Sequence, residues 1–133
     1  MVNRRRLVGQ DGRTVEPPEP VTRLDALLEI ARIAHEAIFD LHRKLTSIGR
    51  ATPESRALLA ESAQLAVRQI PKLTAKARAL AARWRDESVL NLAAAERTLG
   101  ELTAELERIE PDLESALNRQ RQVAAGLRSM LEP

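Results

Sequence analysis

The sequence predicts an all-α protein, an elongated antiparallel helical bundle or coiled coil of three long helices, behind an extended N-terminal arm. Three observations carry that expectation. Apolar residues recur in strides of three and four along three separate stretches, the spacing of a helix that buries a narrow stripe. Among 133 residues there are one Phe, one Trp and five Gly, so strand-forming and chain-breaking residues are both scarce. Helix-start and helix-stop residues stand between the stripes where three helices need them. A chain of this length suits a single helical domain, expected over residues 22–131.

Residues 1–21 read as an arm. They are expected to form a flexible basic arm, the alternative being a small β-hairpin over 6–15, because runs around Leu7-Val8 and Thr14-Val15 flank Gly9-Gln10-Asp11-Gly12. Glu16-Pro17-Pro18-Glu19-Pro20 then enforces an extended linker, because proline fixes φ and disfavours helix before it.

The first helix is expected over 23–48. Thr22 reads as its N-cap, Asp25 as the acidic half of a capping box and Val21 as a staple. Its stripe is Leu24, Leu27, Ala31, Ala34, Ile38, Leu41, Leu45 and Ile48, and Leu28, Ile30, Ile33 and Ala37 widen it enough to touch more than one neighbour. Gly49 is the natural left-handed residue after its end. The second helix, 53–86, opens with Thr52 as N-cap, Pro53 in the first turn and Glu54. Its stripe of Leu59, Ala63, Ala66, Ile70, Leu73, Ala77, Leu80 and Trp84 runs through Pro71 without a slip. A kinked but continuous helix is therefore expected there. Trp84 would plug the end of the core.

A corner is expected at Asp86-Glu87-Ser88, where basic Arg83 and Arg85 give way to acidic residues in the order the helix dipole favours. The alternative is one helix from 53 to 131. The third helix, 88–131, carries the longest stripe: Leu92, Ala95, Leu99, Leu102, Leu106, Ile109, Leu113, Ala116, Gln120, Val123, Leu127 and Met130. Only Gln120 is polar. Pro111 is expected to kink this helix rather than break it. At ~1.5 Å per residue it would span about 66 Å, against a radius of gyration near 14 Å for a compact monomer of this length. If the second and third helices run on as one, the far end of the third would overhang its own bundle, leaving Leu113, Ala116, Gln120, Val123, Leu127 and Met130 to meet a partner, with Gln120 fixing register between chains.

Net charge is +2, but residues 51–86 carry seven basic and three acidic side chains, and residues 87–133 five basic and nine acidic. The two segments are expected to complement each other. The alternative is a nucleic-acid face made of Arg68, Lys72, Lys76, Arg78, Arg83 and Arg85, with Arg4, Arg5 and Arg6 as a mobile arm. No aromatic residue is interleaved for base stacking.

No catalytic residue can be nominated. His35 and His42 are the only histidines, seven residues apart on one helix face, without the spacing of a bundle metal site. No serine has an activating motif beside it, and no Gly-rich loop cradles phosphate. With no cysteine, disulfides and thiolate metal sites are excluded. Neither metal nor cofactor is expected, nor is a membrane span, since no apolar run approaches ~20 residues. These features suggest a cytoplasmic, non-enzymatic scaffold, adaptor or assembly subunit, acting as a homo-oligomer or with a helical protein partner.

Overall fold

The fold is an all-α helical bundle preceded by two short paired strands. The computed structural model describes residues 7–8 and 14–132. Strands β1 (Leu7–Val8) and β2 (Thr14–Val15) pair antiparallel, Leu7 opposite Val15 and Val8 opposite Thr14. Residue 6 and residues 9–13, the rest of the expected hairpin, lie outside the described residues. Helix α1 is Glu19–Ser47; α2 is Pro53–Gln64, followed by one π-helical segment, Leu65–Gln69, and then α3, Ile70–Ser88; α4 is Leu92–Leu131.

Helix α1 starts earlier than its sequence signals suggest. The Pro18 carbonyl accepts both the N–H of Thr22 (3.1 Å) and its hydroxyl (3.2 Å), so Thr22 sits inside the first turn rather than capping it. Pro20 is no obstacle because N–H groups of a first turn have no intrahelical partner to lose. The other end is a Schellman motif. Gly49 has φ +74°, its N–H donates to Thr46 O (3.1 Å), and the N–H of Arg50 reaches back to Leu45 O at 2.8 Å. Two residues later Thr52 caps α2 reciprocally. Its Oγ1 accepts the N–H of Ser55 (3.1 Å), and the Ser55 hydroxyl oxygen accepts the N–H of Thr52 (2.9 Å).

The chain stays helical from Pro53 to Ser88 through Pro71, but not in α-register. Up to Leu65 the buried positions are Ser55, Ser62 and Leu65; from Ile70 on they are Ile70, Thr74, Ala77, Leu80, Ala81 and Trp84. The stride from Leu65 to Ile70 is five. There the N–H of Ile70 bonds the carbonyl of Leu65, a π-turn. The expectation of an unbroken stripe is therefore corrected: the stripe slips by one residue, and Ala63 and Ala66 are only half-buried. The slip falls directly before Pro71. Its ring clashes with the carbonyl four residues back in an α-helix, and the wider π-turn moves that carbonyl aside.

Pro111 needs no such device. Helix α4 runs through it for 40 residues, and both Pro111 and Glu107, whose carbonyl loses its donor, face water. The corner between α3 and α4 falls later than expected. Ser88 still belongs to α3, and Asn91 caps α4 by accepting the N–H of Ala94 on its side-chain oxygen (3.2 Å). Val89, Leu90 and Leu92 at this corner are exposed, so Leu92 does not belong to the buried stripe.

The chain divides into two compact units. The first comprises Met1–Leu27 and Ala75–Ile109; its buried residues include Val21, Leu24, Leu80, Trp84, Leu102 and Leu106. The second comprises Leu28–Thr74 and Glu110–Pro133. Its core joins Ile38 and Leu45 of α1 to Val123, Ala124 and Leu127 of α4, with Leu58 and Leu59 of α2 against them.

Candidate functional site

The six residues expected to meet a partner from α4 are covered by their own chain. Leu113, Gln120, Val123 and Leu127 are fully buried, Ala116 nearly so, and Met130 partly. The expectation that this end of α4 lacks cover is corrected: within the second unit α1 and α2 pack against it. In the second unit the α1–α2 corner closes over the end of α4, where the Arg50 guanidinium donates to Leu131 O at 2.7 Å. At Gly126 the approach is close enough that a β-carbon would stand 3.1 Å from Leu58 Cδ1.

Gln120 takes part in a polar layer within the chain. Its Nε2 donates to Ser62 Oγ at 3.5 Å, and Ser62 Oγ lies 3.4 Å from His35 Nδ1. One residue comes from each of α1, α2 and α4. His35 also meets the Phe39 ring edge-to-face, centroids 5.5 Å apart. The Oε1 of Gln120 is buried without a hydrogen-bond partner.

Beside the π-turn, the second unit has an open groove of about 670 Å³, lined by charged Glu61, Lys72, Asp112 and Arg119 with Leu65, Leu73 and Ala116 as its apolar part. Glu61 and Arg119 form an ion pair across it. Among the described residues Lys72 and Asp112 have no ion pair within 4.0 Å.

The basic face expected for nucleic acid is partly spent on carboxylates, all within the first unit. Lys76 lies 3.8 Å from Glu105, Arg85 4.0 Å from Asp25, and Arg83 3.2 Å from Glu87 and 3.1 Å from Glu101. Arg83 also donates to Thr98 Oγ1 at 2.7 Å. The Arg108 guanidinium hydrogen-bonded to Glu105 holds its carboxyl below the usual carboxylate range against the opposing effect of desolvation, and the positive charge of Lys76 adds to the lowering. Arg68, Lys72 and Arg78 are exposed and lack an ion pair among the described residues. Arg4, Arg5 and Arg6 lie outside those residues. Among the described residues no three His, Cys, Asp or Glu side chains are grouped to hold a metal ion, and no helix is long and apolar enough to cross a membrane.

A second apolar stripe runs along α1, most of it exposed, though its Leu41 is half-buried against the core of the second unit. Ile30, Ile33, Ala37, Leu41, Lys44 and Ile48 follow strides of three and four. Ile30, Ala37 and Lys44 each precede a buried residue, Ala31, Ile38 and Leu45, by one position, which puts this stripe about 100° around the helix from the core. Ile30, Ile33 and Ile48 are 44%, 52% and 56% exposed. One edge is charged in two clusters. Arg32 bridges Glu29 and Glu36, each at 2.5 Å; Asp40 takes Arg43 at 3.1 Å and Lys44 at 3.4 Å. From the sequence this widening of the stripe suggested contact with more than one neighbour, whereas Ile30 and Ile33 are exposed.

No family model, no curated protein and no solved structure matches this chain.

Proposed function

We propose that this chain is a non-enzymatic association module, a scaffold, adaptor or assembly subunit, whose working surface is the outer stripe of α1. The observation that carries this reading is the exposure of Ile30, Ile33 and Ile48 in one line on a helix whose core stripe is already satisfied. Single exposed apolar residues are ordinary on a protein surface; three isoleucines in a helical line suit a partner helix. The nucleic-acid reading has less support, since Lys76, Arg83 and Arg85 already face carboxylates.

The test is a photo-crosslinking amino acid placed at Ile33 of the full chain in living cells, with the exposed Arg121 of α4 as the control position. Adducts of higher mass from position 33 and none from 121 are expected. No adduct from position 33 would remove the reading.

A further inference from the structure

We infer that the occupant of the α1 stripe is a second copy of this chain, docked antiparallel with Ala37 on the two-fold axis. The inference rests on the proposed function and adds the identity and direction of the partner. It starts from the order of side chains along the stripe. Turning a second α1 end for end about Ala37 pairs each residue i with 74 − i. Ala37 then faces Ala37 of the other copy, and its small side chain lets the backbones approach. On both sides of the axis Ile33 meets the exposed part of Leu41, a side chain already half-buried against its own core. Ile30 meets Lys44, whose methylene stem lies along it while the ammonium reaches the edge.

Charge selects the direction. The cluster of Glu29, Arg32 and Glu36 carries a net −1; that of Asp40, Arg43 and Lys44 carries +1. Both lie on the same edge of the stripe. In an antiparallel pair that edge faces its own reverse, so each negative cluster stands against a positive one, twice. A parallel pair sets Lys44 against Lys44 inside the apolar seam and leaves both clusters without a complement. The polar residue that breaks the stripe is thus tolerated in one direction and repelled in the other.

The chain has no cysteine, so single-cysteine variants report on this contact alone. At about 100 μM, chosen because an interface of one helix pair is in the small, weak class, sedimentation of the native chain should give twice the monomer mass. Ile33→Glu should return the monomer with unchanged helical circular dichroism, and Ile33→Leu should keep the dimer. Under mild oxidation Ala37→Cys should form an intermolecular disulfide. Ile33→Cys should not, because antiparallel copies place those two positions about 12 Å apart along the axis, beyond disulfide reach.

Disulfides from both variants would overturn the antiparallel arrangement. A monomeric native chain would overturn self-association; if position 33 then captured a different protein in cells, the association reading would stand without this inference. A monomer with no adduct at 33 would end both.

Discussion

Gln120 shows what one buried polar residue costs and gives. It is fully buried, and among the described residues its side chain makes one hydrogen bond, a long one to Ser62, and leaves Oε1 without a partner. A buried polar atom left unpaired costs about 1–3 kcal/mol. Ser62 and His35 of the same chain share the layer of Gln120. The amide discriminates among ways of packing three similar Ala- and Leu-rich helices, because sliding α4 by one turn would strand it against aliphatic neighbours. Gln120→Leu should therefore raise the urea midpoint, by about 1 kcal/mol in stability, since Ser62 keeps His35 as a neighbour. The same variant should show broader amide resonances if the layer sets the register. A fall in the midpoint would mean the amide is better satisfied than its geometry indicates.

At the scale of elements, the informative feature is the π-turn before Pro71. Ends and caps were legible: Gly49, Thr52 and Pro53 each specify local backbone chemistry that does not depend on the rest of the fold. The slip at Leu65–Gln69 was not legible, because Ala63, Leu65, Ala66 and Val67 are all apolar and satisfy either register. Buried Ser62 concealed it further by reading as a surface residue. The start of α1 was misplaced for a related reason, as Thr22 looks like a cap in isolation while Pro18 supplies the carbonyl. If the extra residue in the π-turn exists to accommodate the proline, deleting exposed Val67 should restore α-register and force Pro71 into its clash. That deletion should cost about 3 kcal/mol. Combined with Pro71→Ala it should cost far less, and chemical denaturation of the four chains measures the difference. Equal losses with and without the proline would show that the π-turn serves packing instead.

At the scale of the whole molecule, the same kind of stripe has two fates. Leu127 and Ile33 both stand in three-four lines of apolar residues, yet the first is fully buried and the second half exposed. The sequence alone expected Leu127 to lie open, because a stripe marks a face suited to burial and not what buries it. The exposed ion pairs that join basic and acidic segments add little to this balance, since such pairs contribute ~0–1 kcal/mol each. Core burial and association should therefore separate cleanly in mutants. Leu127→Ala removes a packed side chain from the second unit and should cost about 2–5 kcal/mol at any protein concentration. Ile33→Ala should change the stability of the dilute chain by no more than about 0.5 kcal/mol. If copies associate in the folded state, the native chain's Tm must rise with concentration, because binding that favours the folded form stabilises it by mass action. Scanning calorimetry at two concentrations about tenfold apart should show that rise for the native chain and for Leu127→Ala, each from its own baseline, and none for Ile33→Ala. A native Tm independent of concentration would deny self-association, whereas a rise surviving in Ile33→Ala would place the contact elsewhere, with the exposed Val89, Leu90 and Leu92 of the α3–α4 corner the next surface to substitute.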